Sequence, residues 1–244
     1  MPQSDSCSGR PPAPELSECG KWLRVSFDVP HRVRSWAVLG GGSQDALAVV
    51  WRQVTDGELC LGLDPRAYLI GRIAAHYGPH SASGGIVGFL TGAHLARHAE
   101  TFLDHSGLWA RCIATVGLNN ALRVGDPPTS AAPHPGTINI LLQTSVPLTD
   151  LAAIEALSVV TEARTVAVLE GGIQSTAGPG AASGTGTDCI AVAAPRESES
   201  NAAAQPYAGK HTVLGHLIGA ATYKAVAAGV QDSRKCRETA AGNG

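Results

Sequence analysis

Two short stretches hold the residue types that hydrolysis of a carboxamide needs. Ser183-Gly184-Thr185-Gly186-Thr187-Asp188 offers backbone N–H groups bared by glycine, two hydroxyls and a carboxylate, and about twenty residues on Tyr207-Ala208-Gly209-Lys210-His211-Thr212 adds an ammonium and an imidazole. Attack of water on an amide calls for a cradle for the oxyanion, a base for the water and an acid for the departing amine. Asp188 precedes an apolar run and can orient an imidazole or activate water; the competing role for an Asp there is to pin its own turn. His211 stands at a predicted helix start, where the dipole favours a neutral imidazole able to act as base, and the alternative is a solvent-facing histidine. Lys210 can hold a carbonyl or a negative intermediate, or be a solvated charge. Thr185 and Thr187, with the N–H groups of Gly184 and Gly186, can form an oxyanion hole. A phosphate-binding nest is the rival, but the loop lacks GxxxxGK[ST] and Gly40-Gly41-Gly42 lacks GxGxxG spacing.

Further polar residues fall inside or beside apolar runs. Asn139 lies mid-strand, where its amide must find partners: either a substrate amide or a neighbouring loop. Asn119 and Asn120 precede Gly125-Asp126-Pro127 and can grip carboxamides or serve turn chemistry. Glu162 can reach the site, pair with Arg164 or be a surface helix charge. Cys189 beside Asp188 invites a Cys/His nucleophile with His211, yet neighbouring strand residues face opposite ways, so if Asp188 faces the site Cys189 faces the core. His94 and His98, four apart on a predicted helix with His105 beyond, have acceptable zinc spacing; an exposed helical face explains them equally well.

The elements that must position these residues read as follows. Trp22 to Phe27 alternates, Ser35 to Leu39 is extended, and Ala46 to Val54 is rich in β-branched residues. Asp64-Pro65 is an N-cap followed by proline in the first turn, and helical spacing continues to Gly78. Gly85 to Leu90 predicts a strand, Thr91 or Gly92 opens a helix through about Asp104, and Leu108 to Val116 and Thr137 to Thr144 are strands flanking the Pro-rich loop Val124 to Pro135. Thr149 or Asp150 caps a helix that Gly171-Gly172 stops. Cys189 to Ala194 is a strand, and Thr212 to Ala228 a final amphipathic helix. This order predicts an α+β fold, a mixed, largely antiparallel β-sheet covered by α-helices in a single layered domain, rather than a doubly wound parallel sheet.

A chain of 244 residues, 44% hydrophobic and 16% charged, buries a sizeable core. Its net charge of -2 supplies no field for a polyphosphate, so a general nucleic-acid role is disfavoured. Residues 1–20 and 231–244 are polar, without a periodic apolar face, and are expected to be tails flanking a domain over 21–230. The six cysteines form no CxxC pair, and Cys60, Cys112 and Cys189 lie in apolar runs, which points to reduced thiols and a cytoplasmic setting. The N-terminus has no secretory pattern, and no uninterrupted apolar run approaches a membrane span.

Several segments together resemble the adenosylcobinamide amidohydrolase (CbiZ) family. They are Ala114-Thr115-Val116-Gly117-Leu118-Asn119-Asn120-Ala121 with Gly125-Asp126-Pro127, Gly136-Thr137-Ile138-Asn139-Ile140, Thr161-Glu162-Ala163-Arg164, Gly184 to Asp188 and Tyr207 to Thr212, in consistent order from about Trp36 to Val230. The resemblance implies hydrolysis of the amide joining the aminopropanol arm to the corrin ring of adenosylcobinamide, giving adenosylcobyric acid and 1-aminopropan-2-ol. It implies no cofactor beyond the cobalt corrinoid that the substrate carries; a homo-oligomer is compatible with it. Arg164 stands where lysine is expected, a change that keeps the charge and alters hydrogen-bond geometry. On chemical grounds His211 is the expected base, oriented by Asp188, with the 184–187 loop holding the oxyanion, Lys210 assisting, and Asn119, Asn120, Asn139 and Glu162 binding substrate. The rivals are a non-catalytic corrinoid-binding module and a zinc hydrolase built on His94 and His98.

Overall fold

A computed structural model describes residues 10–55, 57–59, 62–81, 84–128 and 136–242. Cys7, Cys60, and residues 129–135 of the predicted Pro-rich loop lie outside the described residues. Strand β1 (Glu15–Leu16) pairs with β2 (Trp22–Ser35), and β2 runs antiparallel to β3 (Gly42–Gln53). Leu23, Val25, Phe27 and Val33 of β2 are buried. The β2–β3 register shifts between Ser26 and His31, where Pro30 has no N–H to donate, so this long strand bends. Helix α1 (Pro65–Tyr77) then crosses to β4 (Gly85–Thr91), parallel to β3; the Asp64 carboxylate accepts from Arg66 N at 3.0 Å and proline occupies the first turn.

The segment after β4 departs from the predicted helix. Leu95–Arg97 is a single 3-10 turn, followed by β5 (Ala99–His105), which forms a hairpin with β6 (Leu108–Val116). Leu95, Ala99 and Leu103 have helical spacing, but Ser106 (φ 52°) and Gly107 (φ 76°) make a two-residue turn with both φ values positive, the geometry that folds one strand back on the next. His94 and His98 therefore flank a 3-10 turn instead of sharing one turn of an α-helix, and the His98 ring is held by the Leu95 carbonyl.

Residues Ala121–Leu122 (β7) pair with Gly184–Thr185 (β9) in a small separate ribbon. Strand β8 (Ile138–Thr144) pairs antiparallel with β6 and parallel with β10 (Cys189–Pro195), the connection being α2 (Asp150–Glu170), capped by the Thr149 hydroxyl. The main sheet has the order β4-β3-β2-β10-β8-β6-β5, with β1 beside β2. It is an α+β fold with a mostly antiparallel sheet, as the element order predicts.

One face of β6, β8 and β10 is covered by α2 and by α3 (Val213–Gly242), whose Leu214, Leu217, Ile218, Ala221, Ala225 and Val230 enter one cluster with Ile138, Ile140, Ile190 and Val192. Helix α3 is long and apolar enough by composition to cross a membrane, but more than half of that stretch is buried here against the sheet and α2. The opposite face curls around a second cluster of Leu23, Val25, Trp51, Phe89, Leu95, Ile113, Leu141 and Ala191. Across that interior the Asn139 amide donates to the Leu90 carbonyl at 2.8 Å, bringing the end of β4 to the start of β8.

Both expected tails are corrected where they are described. Beyond β1, the fully buried Arg111 guanidinium donates to the Pro12 carbonyl at 2.7 Å and to Glu100 at 2.9 Å, so residues 10–16 satisfy a buried cation of β6. At the other end α3 continues past residue 231, where Arg97 reaches Asp232 and Cys236 and Arg234 donates to the Gly171 carbonyl at 3.1 Å. A chain beginning at Lys21 is expected to lose about 1–3 kcal/mol, the cost of stranding a buried donor. Urea unfolding of the truncated and full chains measures it, and identical midpoints would refute the anchoring role.

Candidate functional site

The segments that carry the family resemblance meet on one rim, where β6 ends and β8 and β10 begin. Val116 pairs with Ile138 and Asn139 with Cys189, so sheet register alone sets Gly117, Thr137 and Asp188 side by side. Gly117 N donates to Thr137 O at 3.0 Å, and the Thr137 hydroxyl reaches Thr187 O at 2.7 Å. The Thr187 hydroxyl donates to Gly136 O at 3.1 Å and accepts from the Asn120 amide at 3.3 Å. Trp36, following β2, closes the row by donating its indole N–H to Asp188 O at 2.6 Å. The curl of the sheet adds the Gly92–Ala93–His94 segment after β4, which lies against Gly117.

Asp188 is the hub of this rim, and its carboxylate is fully engaged. One oxygen accepts from Ile138 N at 3.1 Å and from the Thr185 hydroxyl; the other accepts from Thr185 N at 3.0 Å and from Arg164 Nη1 at 2.5 Å. The pair is buried, with side chains 12% (Arg164) and 8% (Asp188) exposed. Arg164 also donates to Ser183 O at 3.0 Å, clamping both ends of the turn to α2. Gly184 must be glycine because a methyl group would overlap both partners of the pair. The pairing of Asp188 with Arg164 is the alliance the sequence reading missed. The signal was present, since both residues belong to the resembling segments, but they are 24 positions apart and on different elements.

The expected dyad of Asp188 and His211 is not formed. His211 is exposed and makes no hydrogen bond or ion pair with any described residue. Its loop docks on α2 through Ala208 N to Glu155 at 2.7 Å and Lys210 to Glu162 at 2.5 Å. Glu155 and Glu162 are seven residues apart and share a helix face, whereas Arg164 lies about 200° around from Glu162. Helix α2 thus separates the Lys210-His211 loop from the Asp188 turn. Lys210 and Glu162 are 68% and 52% exposed and neutralise each other, so neither stands at the rim.

The other expected residues divide in the same way. The oxyanion role of the loop meets a difficulty, because Gly186 N already donates to Asn120 O at 3.3 Å and Thr185 N to Asp188. Asn139 uses its amide inside the fold, donating to Leu90 O and accepting from Thr137, which is the structural reading. Asn119 and Asn120 do lie on the rim: Asn119 lines a cavity and is exposed, and the buried Asn120 Oδ1 finds no donor among the described residues. Asp126 accepts from the Ser175 hydroxyl, which chiefly holds its carboxyl below the usual range, and from Arg123 N, and so ties the 123–126 turn to the loop after α2. Cys189 packs partly on the curled cluster, and burial followed by the neighbouring Asp188 charge pushes its thiol up to about 11. It is protonated at neutral pH and donates toward the Trp36 and Thr187 carbonyls. Among the described residues no three His, Cys, Asp or Glu side chains converge as a metal ion would require.

The rim is a glycine-rich edge of a mixed α+β domain, braced by a buried ion pair. The adenosylcobinamide amidohydrolase (CbiZ) model matches residues 11–238, nearly the whole chain, and the protein belongs to that family. The uncharacterized protein MJ1613 of Methanocaldococcus jannaschii is 40% identical over 92 residues, which are 37% of this chain and 34% of that protein, so the match spans about a third of that relative's length. The crystal structure of the PH0078 protein from Pyrococcus horikoshii OT3 aligns over 93% of this chain and 89% of its own at 11% identity and a TM-score of 0.42.

Two outcomes follow from the geometry. Asp188→Ala leaves the Arg164 cation buried without its partner and should cost about 3–5 kcal/mol in urea unfolding, while the Asp188→Ala/Arg164→Met double variant should cost clearly less than the sum of the singles. Additive losses would show that the two act independently. In alkylation at pH 7 to 8, the exposed Cys19, whose thiol is lowered chiefly by the Ser17 hydroxyl, should react before Cys189, and the buried Cys112, held up at about 12, should react last. Peptide mass mapping reads the order, and early labelling of Cys189 would contradict its protonated state.

Proposed function

We propose that this chain hydrolyses the amide between the aminopropanol arm and the corrin ring of adenosylcobinamide, in salvage of cobinamide for coenzyme synthesis. In the reaction the water oxygen bonds to the carbonyl carbon, the C–N bond breaks and the nitrogen leaves with a proton, giving adenosylcobyric acid and 1-aminopropan-2-ol. The observation that supports it is the convergence of residues 116–120, 136–139 and 184–188 on one rim. These segments are distant in sequence, and their meeting sets Asn119, Asn120 and Thr187 on the rim that the exposed Trp36 indole closes.

In this reading the Arg164–Asp188 pair is scaffolding that keeps the turn from relaxing, and reacting groups come from the rim itself. Side-chain amides suit an uncharged substrate bordered by carboxamides, because each supplies one donor and one acceptor face without a charge to desolvate. Trp36, 47% exposed with its N–H anchored to Asp188 O, offers a fixed apolar plate for the flat macrocycle. The cobalt arrives with the substrate, and the setting is the reducing cytoplasm. Lys210 and His211, on the other side of α2, fall outside the reacting groups.

Incubation with adenosylcobinamide followed by mass analysis should show both products. Corrinoid affinity without release of 1-aminopropan-2-ol would instead make the chain a binding module. Trp36→Ala should raise KM roughly ten-fold with little change in kcat, the effect of losing about 1.4 kcal/mol of apolar contact made equally in ground and transition states. His211→Ala should keep most of the turnover; a loss of a hundred-fold or more with the fold intact would return the imidazole of that loop to the mechanism.

A further inference from the structure

Beside the rim lies an open cavity of about 280 Å³ bordered by three elements: the Gly92–His94 segment with Arg97, the end of β6 through Asn119, and the 229–236 stretch of α3. Its α3 wall is set by Gly229, where any side chain would run into Val116, so Asp232 and Ser233 come down over the opening. Arg97 is already held by Asp232 at 3.7 Å and by the Cys236 sulfur. The ionisable side chains that line the cavity are these three and His94. Its Nδ1 lies 3.3 Å from the Gln53 side-chain amide. The Gln53 amide nitrogen donates to Nδ1 in the tautomer that carries its proton on Nε2, and in the other tautomer Nε2 carries the lone pair.

An open cavity of about 280 Å³ has room for a short arm such as a secondary amide with its 2-hydroxypropyl substituent, about seven non-hydrogen atoms. Asn119 lines the same cavity, and the orphaned Oδ1 of Asn120, beside Gly136, is one residue further along the rim.

We propose that this cavity receives the aminopropanol arm while the ring stays outside on the rim, and that His94 is the catalytic residue that moves the proton. The inference rests on the hydrolytic reading above. His94 takes a proton from water as the oxygen bonds to the carbonyl carbon, and returns it to the nitrogen as the C–N bond breaks, so no external acid, base or oxidant is consumed. None of the segments quoted for the family resemblance contains His94, and among the described residues no other imidazole lines this cavity.

The test uses the full-length protein and adenosylcobinamide. His94→Ala and His94→Gln should each lower kcat by about 10²–10⁴-fold, the loss expected for general-base assistance, with KM within roughly threefold of the parent. Added imidazole should restore part of the turnover to His94→Ala but not to His94→Gln, where the space is filled. A purely structural role would show neither the selective loss in kcat nor the rescue. Variants that keep more than a third of the parent kcat, or that lose activity through KM alone without rescue, overturn the assignment of His94 while leaving the hydrolytic reading intact. A parent protein that releases no 1-aminopropan-2-ol overturns both.

Discussion

The buried contact between Arg164 and Asp188 is the constraint on which the rim depends. One carboxylate satisfies a backbone N–H of β8, an N–H and a hydroxyl of the 184–187 turn and a guanidinium from α2. Four donors around one small acceptor fix three elements at once, and the glycine at 184 exists to leave room for them. One Nη of Arg164 reaches both the carboxylate and the Ser183 carbonyl, while its Nε is buried without a partner among the described residues. Desolvating both charges is expensive, so the pair contributes specificity of arrangement more surely than it contributes stability.

Much of the fold was legible because local chemistry and tertiary need agreed. Asp64-Pro65 and Thr149 begin helices in the structure as their side chains dictate, and Gly78 and Gly171 end them. The strands over residues 108–116, 138–144 and 189–195 are apolar runs long enough to read directly. Where the two levels disagreed, the larger one won. Leu95, Ala99 and Leu103 have the spacing of a helix, yet the Ser106-Gly107 turn and the pairing with β6 impose a strand. Residues 10–16 have no apolar periodicity of their own and are ordered by what a distant buried arginine requires of them.

The site was legible in its parts and not in its wiring. Asp188, Thr185, Thr187, Asn119 and Asn120 were each picked out, and each lies at or under the rim. Which side chain answers which could not be read, because adjacency in a motif says nothing about which side of a helix a loop will dock on. Glu162 and Arg164 illustrate this: two residues apart on α2, they serve opposite faces and thereby send the Lys210 loop and the Asp188 turn to different surfaces. Asn139 shows the converse, a polar group that looked available and is wholly consumed in holding the curl of the sheet.

Strand β10 stands between β2 and β8 in the main sheet, although it is the last strand in the chain. During synthesis the segments of β2 to β4 and of β5, β6 and β8 emerge first, as two partial sheets whose inner edges have nothing to bond. Unpaired edges of this kind are the surfaces through which incomplete chains recruit one another. A polypeptide stopped before residue 189 would carry two such edges and an apolar face without α3. The chain's vulnerability therefore lies in the interval before residues 189–244 are delivered, and a fragment lacking them would be prone to aggregate rather than to work slowly.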